Sequence, residues 1–153
     1  MKIALGADHA GFELKEKIKQ HLRDRGFEVV DKGTDSPQSV DYPDFARAVG
    51  ESVAQGSSER GILVCGTGIG MSIAANKVPG IRAANVTTEN EAQLSREHNN
   101  ANVLALGARL LDEQAAMKIV DCWLATPFLA GRHANRVDKI MAIENDRVPV
   151  AGR

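Results

Sequence analysis

The chain has 153 residues, 43% of them hydrophobic and 25% charged, with a formal net charge of -1. That length supports one packed domain without staples, and the near-neutral balance excludes a global basic field that would draw the chain onto nucleic acid or an anionic membrane. Cys65 and Cys122 cannot build a disulfide framework, and the opening MKIALGADHAG has neither signal-peptide regions nor a long apolar run, so a reducing cytoplasm is the expected setting.

The first apolar run, Ile3 to Ala7, reads as a buried parallel strand. It ends in GADHAG, placing Asp8 and His9 at the strand's carboxyl end just before a helix. An Asp there commonly serves as an N-cap, whereas His9 has no such local explanation. Leu14, Ile18 and Leu22 repeat every four residues and predict one helical stripe, and a second strand follows at Phe27 to Asp31. Residues 32–42, KGTDSPQSVDY, are polar and rich in turn formers. A connector that long is functional or interfacial, or merely solvated. Pro43 suits a first helical turn, and Phe45, Val49 and Val53 continue that helix's apolar face.

The third strand, Ile62 to Cys65, runs into the glycine loop of GILVCGTGIGMS, with a short helix expected over Gly70 to Asn76. Gly66, Gly68 and Gly70 permit tight turns and close approach of N–H groups to an anion, aided by the positive end of the next helix. A dinucleotide site does not fit, because the spacing is G-x-G-x-G and the loop follows the third strand instead of opening a first βαβ unit. A cysteine-phosphatase loop does not fit either: the arginine it needs six residues after the cysteine is here Met71. Cys65 is then either a small buried thiol or a reactive one, since a helix N-terminus favours the thiolate.

A fourth strand is expected at Arg82 to Val86, and the helix Glu89 to Asn99 delivers His98 and Asn99 just before the fifth strand, Val103 to Leu106. A histidine at a helix C-terminus is also a common dipole cap. Arg109 follows the fifth strand and falls at the carboxyl edge, as a site residue or a surface ion pair. Cys122, in the helix Glu113 to Ala125, reads as packing. The last helix, Arg132 to Glu144, opens GRHANRVDKIM, where Arg132 and Arg136 share a face in turns that disfavour cations. An anion between them removes the conflict, and forked guanidinium groups suit a phosphate; a solvated face is the alternative. From Glu144 to residue 153 the chain lacks periodicity and reads as an extended tail. Strands alternating with helices imply a single α/β domain with a doubly wound, five-stranded parallel sheet and right-handed crossovers.

GADHAG, CGTGIGMSIAANK, REHNNANVLALG and GRHANRV, in this order, resemble the type B ribose-5-phosphate isomerase family, which also includes galactose-6-phosphate isomerase subunits. The resemblance runs from Lys2 to about Glu144. It implies a Rossmann-like three-layer αβα sandwich, no metal or organic cofactor, and interconversion of ribose 5-phosphate and ribulose 5-phosphate through an enediolate. Cys65 matches the family's base and His98 the group assisting ring opening. Asp8, His9, Gly66, Thr67, Gly68, Ile69, Gly70, Asn99 and Arg109 match substrate-contacting positions, and Arg132 and Arg136 those that hold phosphate. The family also implies a homodimer or tetramer with sites shared between subunits, and the near-neutral charge balance leaves neither nucleic acid nor membrane as an expected partner.

In that chemistry the Cys65 thiolate takes the C2 proton of the open-chain aldose while loop N–H groups face the developing oxyanion, and Thr67 adds a hydroxyl there or relays a proton between oxygens. His98 serves the ring oxygen, and the arginines with His9 turn phosphate binding into orientation. Two other readings stay open: a hexose-6-phosphate isomerase acting on allose or galactose 6-phosphate, and a non-catalytic sugar-phosphate or nucleotide module on the same fold.

Overall fold

In the computed structural model, which describes residues 1–146, the apolar runs become β1 (Lys2–Ala7), β2 (Glu28–Asp31), β3 (Arg60–Cys65), β4 (Ala83–Asn85) and β5 (Val103–Gly107). The helices are α1 (Phe12–Asp24), α2 (Tyr42–Ala54), α3 (Ile69–Ala75), α4 (Glu89–Asn99), α5 (Glu113–Ala125) and α6 (Arg132–Ala142). All strands are parallel and form one sheet in the order β2-β1-β3-β5-β4.

Alternation along each strand divides the core between two faces. Ile3, Leu5, Ile62, Val64, Leu104 and Leu106 pack with Leu14, Ile18 and Leu22 of α1 and with Ile119 and Trp123 of α5. Ala4, Leu63, Cys65, Val103 and Ala105 pack on the other face with Ala46, Val49 and Val53 of α2 and with Met71 and Ala75 of α3. Each fully buried aliphatic side chain contributes about 1.5–3 kcal/mol relative to exposure. Right-handed crossovers put leftward connections (α1, α4) on one face and rightward ones (α2, α3) on the other. The chain therefore leaves β1 and β3 toward opposite faces, and the carboxyl ends of those two strands flank the sheet's switch point.

Several boundaries differ from the apolar patterns. β3 starts two residues earlier because Gly61 also pairs; a Cβ there would stand 2.6 Å from Val49 Cγ1, so only glycine lets α2 lie this close. β4 loses both expected ends, Arg82 and Val86, and β2 begins at Glu28. Helix α6 ends at Ala142 and continues as turns through Asp146, whose N–H donates to Ile143 O at 3.3 Å; the rest of the expected tail, 147–153, lies outside the described residues. Lys15, fully buried on α1, is met by Asp31 Oδ2 at 2.7 Å and Glu16 Oε1 at 2.8 Å, an ion cluster that pins the end of β2 where the 32–42 connector starts.

Candidate active site

At the carboxyl edge, Cys65 closes β3 with 5% of its surface exposed. Its Sγ accepts a hydrogen bond from the Gly68 N–H at 3.1 Å. Gly68 reaches that position with φ of +80°, and a Cβ would fall 2.5 Å from Asn85 Oδ1, so glycine is required twice over. The Ile69 N–H donates to Thr67 Oγ1 at 3.2 Å, which leaves the Thr67 hydroxyl proton free to donate elsewhere. Two of the loop's amides are thus committed within the loop, one of them to the sulfur, so the cradle expected from the glycines is narrower than their number suggests.

Arg109 belongs to the same edge. Its N–H donates to Gly66 O at 3.0 Å, and its guanidinium lies so close over the loop that a Cβ on Gly66 would be 2.9 Å from Nη1. Asp8, 6% exposed, accepts the Gly11 N–H at 3.0 Å and closes the turn leading into α1, but it is not the helix N-cap: Gly11 holds that position, with no side-chain cap hydrogen bond. His9 Nδ1 accepts the Val40 N–H at 3.2 Å, which places the proton of the neutral ring on Nε2. That bond joins the 32–42 connector to the site, and its start is zipped to β1 by Ala7 N–H to Gly33 O at 2.7 Å and Thr34 N–H to Ala7 O at 2.8 Å. The connector ends at Tyr42, whose ring packs against Gly70: a Cβ there would be 2.7 Å from Cζ. Tyr42 and Asn85 were missed in the sequence. Tyr42 is the chain's one tyrosine, next to Pro43 and a functional-length connector, which is the signal that pointed to it; Asn85 gave none.

The remaining predicted residues stand elsewhere. Helices run antiparallel to the strands they follow, so the C-terminus of α4 and the N-terminus of α6 lie at the amino edge of the sheet. The His98 and His133 rings stack there, centroids 4.2 Å apart and 10° from parallel, and Leu129 N–H donates to Glu97 O at 3.2 Å, tying the segment that leads into α6 to the end of α4. Arg132 and Arg136 occupy the first turns of α6 beside them. Burial, then the adjacent His98, Arg132 and Arg136, hold the His133 pKa below the usual imidazole value, with Glu97 opposing. His133 lies inside the GRHANRV motif, but only the fold reveals its stacking partner. Asn99 lines a cavity of ≈ 370 Å³ with Asn76, Arg82, Ile140 and Glu144.

The candidate residues of one chain therefore fall into two groups. Cys65, Asp8, His9, Arg109 and the glycine loop gather at one edge, while His98, Asn99, Arg132 and Arg136 gather at the other. The five residues of β5 at about 3.3 Å each separate those edges by roughly 15–20 Å. A general acid or base works within about 3 Å of the atom it serves, so Cys65 and His98 of one chain do not meet on one small ligand. Among the described residues no group of three His, Cys, Asp or Glu side chains is placed to hold a metal ion, and no helix is long and apolar enough to cross a membrane.

Comparison with known proteins agrees on one family. Residues 3–140 match the family model described as Ribose/Galactose Isomerase. The chain is 53% identical over 146 residues to ribose-5-phosphate isomerase B of Escherichia coli (strain K12), covering 95% of this chain and 98% of that one. Among solved structures it is similar to ribose-5-phosphate isomerase B of Clostridium thermocellum, with a TM-score of 0.95, 55% identity and coverage of 95% and 99%. It is also similar to ribose-5-phosphate isomerase B of Mycoplasma genitalium solved with bound ribulose-5-phosphate, with a TM-score of 0.92, 44% identity and coverage of 95% and 97%.

Proposed function

This chain belongs to the ribose/galactose isomerase family and, within it, to the type B ribose-5-phosphate isomerases; on that premise we propose that it interconverts ribose 5-phosphate and ribulose 5-phosphate in sites built from two copies. The family is one of isomerases, which sets aside the non-catalytic binding module. The observation that carries the mechanism is the Cys65 sulfur held under the Gly68 N–H at 3.1 Å, which fixes the sulfur where the loop can meet a reacting carbon.

Moving the carbonyl from C1 to C2 takes a proton off C2 and returns it to C1, with charge on oxygen in between. Cys65 takes the proton as thiolate and gives it back as thiol, while the remaining amides of the 66–70 loop and the Thr67 hydroxyl face the enediolate oxygens. One such donor contributes about 3–4 kcal/mol to lowering the barrier. His98 of a second copy serves the ring oxygen before the proton transfer, and Arg132 and Arg136 of that copy hold the phosphate, supported by His9 at the first copy's edge. A two-fold dimer pairs the amino edge of each copy with the carboxyl edge of the other and completes two equal sites. The exposed Ile69 and Ile73 on α3 and Ile140 and Ile143 beside the amino-edge cavity supply apolar surface for that contact. A free thiol base must stay reduced, which suits the cytoplasm.

The test is incubation with ribose 5-phosphate in deuterated water without added metal. The reading expects ribulose 5-phosphate to form with deuterium entering at carbon; product without any exchange under conditions of slow turnover would reject solvent-exposed thiol proton transfer. Because the matching family model also spans galactose isomerases, kcat/KM is compared for five- and six-carbon sugar phosphates, and a preference for allose or galactose 6-phosphate would replace the pentose assignment.

A further inference from the structure

Helix α4 ends in a reversal that no glycine makes. Asn100 stands in the left-handed region, φ 46° and ψ 43°, immediately after His98 and Asn99. Such a turn leaves carbonyl groups pointing out of the helix end without partners. Here a guanidinium takes them: Arg82 Nε donates to Asn99 O and Asn100 O, each at 3.1 Å, and Nη2 donates to Asn100 O at 2.9 Å. Its third nitrogen, Nη1, reaches Met141 Sδ at 3.1 Å, and Met141 lies on α6, the helix that carries Arg132 and Arg136. The backbone of Arg82 is fixed as well, its N–H donating to Asn102 Oδ1 at 2.8 Å. From the inner side Arg96 Nη1 donates to Asn100 Oδ1 at 2.9 Å and Ala101 O at 2.6 Å.

We propose that Arg82 is a positioning residue for the reaction: its planar fork fixes the turn that presents His98 and Asn99 and ties that turn to the phosphate-holding helix. The proposal rests on the reading that His98 opens the sugar ring. Arg82 makes no salt bridge among the described residues, and burial lowers its pKa, with the more distant Glu144 opposing. A half-buried cation bonded only to carbonyls and a thioether is an expensive way to close a helix. A glycine at position 100 would do so without any charge. The fork offers what glycine does not, a rigid link from β4's start to α6 through the turn that begins directly after His98. Lysine keeps the charge but lacks the fork.

The test uses Arg82→Met and Arg82→Lys, with thermal melts to establish folding. Misplacement of a catalytic group by about 1 Å costs up to 100-fold, so both variants are expected to lose about 10- to 100-fold in kcat on the cyclic pentose phosphate. On an aldose phosphate too short to close a furanose ring the loss should stay within about threefold, since ring opening is absent there. The double variant Arg82→Lys/His98→Asn should then be no worse on the cyclic substrate than His98→Asn alone. The ¹H–¹³C signal of the His98 imidazole should move in Arg82→Lys while that of His21, at the far end of α1, stays. Equal losses on the two substrates, additive losses in the double variant, or an unmoved His98 signal overturn the proposal. Should His98→Asn itself hit both substrates equally, the ring-opening reading falls, and the His98 signal alone decides whether Arg82 holds the turn.

Discussion

Mixing two inactive variants tests the split site directly. Take Cys65→Ala, which lacks the proposed carboxyl-edge base, and His98→Asn, which lacks the proposed amino-edge acid, and co-refold them in equal amounts. In the proposed homodimer of either variant, each of the two sites carries one lesion. In the mixed dimer, one site combines the altered Cys65 position of one copy with the altered His98 position of the other, and its second site combines the intact Cys65 with the intact His98. Random pairing makes half the dimers mixed, each with one whole site of two, so activity on cyclic substrate should recover to about a quarter of the unmutated enzyme. That any activity returns only on mixing follows from the roughly 15–20 Å of sheet between the edges, which keeps one chain from supplying both groups. The assay is the rate of ribulose 5-phosphate formation, with the unmixed variants refolded alongside. Recovery no greater than the sum of the two variants' residual rates would refute the two-copy site and place the missing partner for Cys65 within its own chain.

Gly68→Ala should cost about 1–2 kcal/mol of backbone strain from the left-handed conformation, push on Asn85, and displace the N–H from Cys65; kcat should fall about 10- to 100-fold, as expected for losing a hydrogen bond to a charged group, and an unchanged kcat would exclude a role for that bond. Arg136→Ala should mainly raise KM and shrink the preference for phosphorylated over free sugar; steady-state kinetics on both would show it, and no change in either rejects the phosphate clamp. Asp31→Asn removes a partner of the buried Lys15, which costs about 3 kcal/mol, or roughly 6–12 °C in Tm, with Glu16 keeping the loss at the low end of the range. Burial pushes the Asp31 carboxyl up, but hydrogen bonds from Lys15, Lys19 and the Gly33 N–H outweigh it and hold the pKa below the usual carboxylate value. A depressed carboxylate stabilises the fold above its unfolded pKa of about 3.9, and that stability is lost as pH falls through the folded value. Melts from pH 7 to 2 should therefore show the unmutated and Asp31→Asn proteins converging in acid; a gap that stays constant would mean Asp31 acts by packing alone.

Much of the site was legible because strand ends in an α/β fold have a known address. Cys65, Asp8, His9 and Arg109 each follow an apolar run, and a residue in that position reaches the carboxyl edge whatever the neighbouring helices do. The glycines were legible as a loop but not as a set of committed donors: that the Gly68 N–H points at sulfur and the Ile69 N–H at Thr67 depends on backbone angles no spacing encodes. Asn85 enters the site through contact with Gly68, 17 residues away in the chain, so local pattern said nothing of it, whereas Tyr42, 28 residues from Gly70, was signalled only by its place at the end of the connector.

Apolar periodicity and turn chemistry alone determined the order of strands and helices, the parallel sheet, and which residues have the chemistry to move a proton or hold a phosphate. They act over a few residues, and a sequence states them directly. Only the tertiary structure decided that His98, Asn99, Arg132 and Arg136 stand at the opposite edge of the sheet from Cys65. A helix returning antiparallel to its strand carries its C-terminus back across the full length of the sheet, and the distance it covers is a property of the packed layers.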